Sequence, residues 1–192
     1  TTFPQTDAGD PGRIAITYLG SENVSLLNTT DIDGNNWNGN GHYAPSGVHY
    51  HLYVTYSLNA LDENPTFHTY RLSDDPVQIG SMCLNSGDCR TDDGGSNRNL
   101  LDFNDLTIDL DGRVYIAFAD GCIDACATGN NSQPEDSRAG RGSVYFMSSG
   151  PSLYVAKGDL VSPSSPAAGS LNASTLPQIC QAEQCRTEDQ EV

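Results

Sequence analysis

Apolar residues recur with a period of two in several short runs, and no segment carries them at the three-and-four spacing of an amphipathic helix. "RIAITYLG", from Arg13, alternates Ile14 and Ile16 with Ala15 and Thr17, and its β-branched residues favour a pleated strand. "VHYHLYVTYSL" sets Tyr50, Leu52 and Val54 on one face and His49, His51, Tyr53 and Thr55 on the other. "TFHTYRL" predicts a third strand and "PVQIGSM" a short fourth. In "NDLTIDLDGRVYIAFADGC", Leu106, Ile108 and Leu110 share a face. Val114, Ile116 and Phe118 share another after a turn at Asp111-Gly112, so the stretch predicts a hairpin. "SVYFMSS" and "SLYVAKGDL" predict a further pair around Ser149-Gly150-Pro151. The expected total is about eight short strands.

Between these runs lie long polar insertions, at about 20–47 and 119–142. The 83–99 stretch is likewise polar and glycine-rich. Residues 161–192 are rich in Pro, Ser and Ala and predict an extended tail carrying one cysteine pair. The halves echo each other: "PGRIAITYLGS" and "DGRVYIAFADG" share Gly-Arg, an alternating strand, an aromatic and a small or polar exit. Each is followed by an insertion and then by a Tyr-Val strand, "HLYVTYS" and "SLYVAKG". A strand group repeated about one hundred residues apart points to propeller blades.

Composition narrows the function classes. The 192-residue chain has 36% hydrophobic residues with 19 Gly and 10 Pro, which suits a loop-rich β protein of about one domain. Its formal net charge is −16, and Lys157 is its one lysine, so no basic stripe exists to neutralise nucleic-acid phosphates or an anionic membrane surface. No apolar run is long enough for a transmembrane helix. Six cysteines form three close pairs, Cys83 with Cys89, Cys122 with Cys126 and Cys180 with Cys185. That spacing suits local disulfides in an oxidising compartment; zinc is the alternative, but it lacks a Cys-x-x-Cys knuckle and a nearby histidine. N-glycosylation acceptors stand at Asn23, Asn28, Asn130 and Asn172. Together with the paired cysteines they predict an extracellular or cell-surface protein.

Candidate chemistry is sparse. Asp31, Asp33 and Asn35 offer hard oxygen donors at alternate positions of "DIDGNNWNGNG", a pattern suited to Ca²⁺ or to a solvated turn. It departs from a helix-loop-helix calcium site, since Asn36 stands where Gly is expected and the twelfth position carries no Glu. In the acidic group Asp102, Asp105, Asp109 and Asp111, the turn accounts for Asp111 and the solvent face of a strand for Asp109. His49 and His51, with His42 nearby, could chelate a transition metal or lie on an ordinary strand surface. Trp37 could stack on a sugar or staple its loop.

Taken together, "GRIAITYLGS", "ALDENPTFHTYRLSDDPVQIGSMC" and "RNLLDFNDLTIDLDGRVYIAFADGC" resemble secreted sialidase-like β-propeller proteins with BNR repeats. The similarity covers residues 11–160 outside the insertions. "SLNALDENPTF", Ser57 to Phe67, looks like a degenerate Asp-box turn, with Asn59 in place of its aspartate and Phe67 near the place of its tryptophan. The resemblance implies antiparallel four-stranded blades, about two of them within residues 1–160. A β-sandwich is the alternative fold. It also implies the family's carboxylate-clamping arginine triad, yet none of Arg13, Arg71, Arg90, Arg98 and Arg113 stands in a matching motif, and no Tyr–Glu pair stands out. Arg13 and Arg113 follow turn glycines, where a surface role is expected.

The functional expectation is therefore a glycosylated extracellular propeller protein with a structural or binding role and no catalysis of its own. The alternatives are part of an exo-sialidase-like glycoside hydrolase, or a self-assembling surface or filament subunit. The expected partners are the remaining blades of a longer chain, other copies of itself, or carbohydrate.

Overall fold

The computed structural model of the chain describes residues 2–21, 27–29, 36, 44, 47–80, 82, 100, 104–123, 126–127 and 140–161. These residues build an all-β protein of antiparallel sheets. The first sheet runs β1 (Thr2–Ala8), β2 (Ile14–Gly20), β3 (His49–Ser57) and β4 (His68–Arg71) in sequential order. The short β5 (Gln78–Ile79) extends it by pairing with the start of β3. The second sheet orders β6 (Asn104–Ile108), β7 (Val114–Asp120) and β8 (Arg141–Phe146) in the same sequential manner. A minor ladder joins β9 (Gly150–Pro151) to β10 (Asp159–Leu160).

Ten strands thus stand among the described residues, against about eight expected. The pattern reading missed β1, because Pro4 and a register shift between Thr2 and Gln5 interrupt its alternation at a sheet edge. It also misplaced a strand. "SLYVAKGDL" does not pair with "SVYFMSS": Val155–Lys157 form a 3-10 turn. The partner of β7 is β8, within "RGSVYF", so the Tyr-Val counterpart of β3 in the second sheet is Val144-Tyr145. The second insertion is accordingly shorter, since Ala119 and Asp120 belong to β7 and Arg141 and Gly142 to β8.

The β6–β7 hairpin forms as expected with Ile108 opposite Val114. Leu110 does not share the face of Leu106. It sits in the loop and is 88% exposed, because the strand ends at Ile108. Asp109 is not a solvent-face residue either. Its Oδ1 accepts hydrogen bonds from the N–H groups of Asp111 and Arg113, both at 2.9 Å, so its side chain organises the turn.

One core lies between the two sheets. Leu52, Val54 and Tyr56 on one side and Val114, Ile116 and Phe118 on the other belong to a single buried cluster. Each such aliphatic or aromatic side chain contributes roughly 1.5–3 kcal/mol on burial. The sheets are joined along β1 and β6 by side chains. Asn104 Nδ2 donates to the carbonyl of Phe3 at 2.8 Å, and Asp7 Oδ2 accepts from Ile108 N–H at 3.0 Å.

The two sheets share a repeated strand-and-loop unit but meet through unlike faces. Gly9–Arg13 and Asp109–Arg113 are equivalent loops, each closed by a hydrogen bond from its first N–H to the arginine carbonyl, at 2.9 and 3.0 Å. Gly12 and Gly112 hold equivalent left-handed positions, φ 85° and 80°. In this alignment Ile14, Ile16 and Tyr18 correspond to Val114, Ile116 and Phe118, and pairing partners Tyr56 and Val54 correspond to Phe146 and Val144. The core is built from opposite faces of the two repeats. The first sheet contributes the Ala15, Val54 and Tyr56 face, whereas the second contributes the Val114, Ile116 and Phe118 face.

Candidate functional site

Three places hold the chemistry of the described residues: a clasp around the two arginine loops, a disulfide corner, and the two outward sheet faces.

The clasp is the segment 147–161. Leu153 N–H donates to the Gly112 carbonyl and the Leu153 carbonyl accepts from Asp10 N–H, both at 2.9 Å, so one residue ties the two equivalent loops together. Val155 N–H donates to Asp10 Oδ2 at 2.6 Å, and Ser152 Oγ donates to the Asp111 carbonyl at 2.6 Å. Arg13 donates through Nη1 to the Ser152 carbonyl, and Arg113 through Nη1 to the Met147 carbonyl and through Nη2 to the Val161 carbonyl. The surface role expected for these arginines is thus replaced by one inside the clasp, where their forked donors satisfy main-chain acceptors. Arg71 is exposed on β4, and Arg141 faces Asp120 at 3.6 Å. Arg90 and Arg98 lie outside the described residues.

At the disulfide corner, Cys122 and Cys126 are bonded as expected, with Cα atoms 5.0 Å apart. Both are buried against Ile79 of β5, and Gly121 N–H donates to the Val77 carbonyl at 2.9 Å. The loop leaving the second sheet is thereby pinned to the rim of the first. Cys83, Cys89, Cys180 and Cys185 lie outside the described residues, as do Asp31, Asp33 and Asn35 of the calcium expectation. Asn23, Asn130, Asn172, Trp37 and His42 do so too. Asn28 is exposed in a turn with φ 67°, open to a glycan. His51 Nδ1 is engaged by the Ser73 carbonyl at 3.1 Å. Among the described residues no group of three or more His, Cys, Asp or Glu side chains is placed to hold a metal, and no helix is long and apolar enough to cross a membrane.

Residues 57–67 form the turn between β3 and β4. Asn59 Oδ1 accepts from Thr66 N–H at 2.8 Å and Nδ2 donates to Asp62 Oδ2 at 3.0 Å, closing the turn on itself. Asn59 therefore does the work of a turn-organising acid through its carbonyl oxygen. Phe67 is exposed.

The sheet faces differ. Between the sheets a cleft of about 380 Å³, open mouth included, is lined by Val54, Tyr56 and Leu72 across from Val114, Ile116 and Tyr145, with Phe146, Met147 and Leu153 completing its wall. Burial raises the Tyr56 phenol well above the usual tyrosine range, and Tyr70 adds to the shift. Outward on the second sheet stand Tyr115, stacked on Phe146 at 5.8 Å, and the Ala117–Val144 pair, with Ala117 exposed and Val144 48% exposed. Outward on the first sheet stand Ile14, Ile16 and Tyr18, all half-buried, with Tyr18 stacked on Tyr53 at 5.6 Å. No residue-type motif announced these faces. The sequence repeat aligns the two strand groups but does not tell which side of each is covered.

No family model matches this chain, and no curated protein or solved structure matches it. The fold and the faces define an all-β, antiparallel protein in which two repeated sheets pack through unlike sides.

Proposed function

We propose that the chain is a two-blade segment of a sialidase-like β-propeller, acting outside the cell as a structural or binding module without catalysis of its own. The observation that carries this reading is the packing of unlike faces. Two repeats related by a two-fold would meet through like faces, whereas a head-to-tail series joins unlike faces and can accept further members. Sequential strand order in both sheets, the β1–β6 seam as the innermost edge, and an Asn59-organised turn between the third and fourth strands all support the propeller. The disulfide and the exposed Asn28 acceptor support an oxidising, extracellular setting.

The binding role rests on the two outward faces, which carry aromatic and apolar residues among threonines and the exposed Arg71 and Asp105. Arg13 and Arg113 are engaged with main-chain carbonyls, which supports a non-catalytic reading of this segment. Incubation of the purified chain with sialosides is expected to release no sialic acid; turnover above background would overturn the reading. The intact mass of the secreted protein is expected to exceed that of the 20.5 kDa chain by additional blades, glycans or both. An unmodified mass equal to the chain would count against it.

A further inference from the structure

We propose that copies of this chain associate head to tail, with the outward face of β6–β8 on one copy covering the outward face of β1–β4 on the next. The proposal rests on the series reading above and deepens it by naming the occupant of the open faces.

The argument comes from the junction already formed inside the chain. There, a Val54 and Tyr56 face of the first sheet meets a Val114, Ile116 and Phe118 face of the second. Each outward face repeats part of one half of that contact, with Tyr115 and Gly142 standing where the inner face has Ala15 and Leu52. Val144 and Phe146 stand where Val54 and Tyr56 stand in the first repeat, and Ile14, Ile16 and Tyr18 stand where Val114, Ile116 and Phe118 stand in the second. Each copy thus displays a knob side and a socket side of a contact whose chemistry the fold has already tested once. The two sides are unlike, so the contact is heterologous. It closes into a ring if the rotation per copy permits and runs on as a filament if it does not. Arg71 on the first face and Asp105 on the second, both exposed, carry opposite charges. The net charge of −16 opposes association at low salt, so the contact strengthens as ionic strength rises.

The test uses two single-face variants of the full chain, Val144→Arg for one face and Ile16→Arg for the other. Ala117→Arg and Thr69→Arg, both at exposed positions, serve as replacements if either fails to keep its strand signal in circular dichroism. Light scattering after size exclusion, at physiological salt or above, reads the mass. The wild-type chain is expected to grow beyond one copy with concentration, and each variant alone to stay a monomer. An equimolar mixture of the two is expected to stop at a pair, because each partner supplies the face the other lacks. A wild-type chain that stays monomeric, a single-face variant that dimerises alone, or a mixture that fails to pair overturns the association. Those outcomes leave the two-blade reading standing, since sialoside turnover tests its non-catalytic role and the intact mass tests whether the chain is a segment of a longer series.

Discussion

Tyr56 and Phe146 hold equivalent positions in two repeated sheets, yet Tyr56 is buried between the sheets, whereas Phe146 is half-buried at the mouth of the cleft with its ring stacked on Tyr115 of the outward face. Tyr56 is opposite Ala15 and Phe146 is opposite Tyr115, residues one hundred positions apart in the repeat. The same strand pattern is used twice, and one use ends in a covered face and the other in an open one. That asymmetry links the sequence repeat to the proposed role: the fold has a direction.

The clasp makes Gly112 sensitive to any side chain. A Cβ there would lie 2.0 Å from Ser152 Oγ and 2.6 Å from Tyr154 N, on a backbone with φ 80°. Gly112→Ala is expected to destabilise the protein by about 1–3 kcal/mol. Gly142, in β8, has nothing within 4 Å of a built Cβ, so Gly142→Ala is expected to be neutral or stabilising by up to about 1 kcal/mol. Urea denaturation of the two variants checks the contrast. Equal losses would show that the clasp does not close on Gly112.

Tyr50 predicts an alkaline limit. Its phenol is buried, has no hydrogen-bond partner among the described residues, and is pushed up from 10.0 to about 12 by desolvation. The folded state therefore holds the proton more tightly than the unfolded state. The associated stability is complete below pH 10 and is lost as pH rises from about 10 to about 12, amounting to on the order of 2–3 kcal/mol. Tyr56 acts in the same direction. Tyr50→Phe is expected to flatten the fall in stability between pH 10 and 12 and to cost nothing at pH 7, read by urea midpoints across that range. A steeper fall in the variant would reverse the assignment.

Much of the fold was legible because half-buried strands write their two sides into alternate positions. Tyr50, Leu52 and Val54 are buried as a set, and so are Val114, Ile116 and Phe118. What could not be read was which sheet face meets which. Ile14, Ile16 and Tyr18 are as apolar as their counterparts in β7, and nothing local says that they are left half-buried while the later set is fully covered. The clasp was equally hidden, since it depends on main-chain carbonyls of Met147, Ser152 and Val161 that carry no residue signature. "SLYVAKG" misled because a Tyr-Val pair scores as strand until Gly158, at φ 67°, turns the chain back on itself.

The disulfide corner predicts a local rather than global staple. Cys122 and Cys126 close a short loop, so the chain-entropy contribution is about 2 kcal/mol. Both sulfurs are also packed on Ile79, and that contact fixes the β7 exit to β5. Replacing both cysteines by Ala is expected to cost a similar amount and to raise amide exchange at Gly121, whose N–H bonds the Val77 carbonyl, before exchange rises at Val54 or Ile116. Uniform loss of protection across both sheets would mean that the corner holds the whole fold.

Of the three cations in the clasp, Lys157 and Arg113 separate an exposed contact from a partly buried one. Lys157 Nζ meets Asp111 Oδ1 at 2.9 Å, but both side chains are largely in water, at 45% and 69% exposure. Solvent and salt screen such a pair, so Lys157→Ala is expected to cost less than about 1 kcal/mol. Arg113 is different. It bonds two main-chain carbonyls, and its guanidinium lies 5.7 Å from the centre of the Phe146 ring. Arg113→Leu keeps some of the packing but leaves those acceptors without their charged donor, at an expected cost of about 2 kcal/mol. Added salt should erase the Lys157 effect and leave most of the Arg113 effect. Thermal midpoints at low and high ionic strength measure both, and an Arg113 loss that vanishes with salt would place its guanidinium outside the clasp.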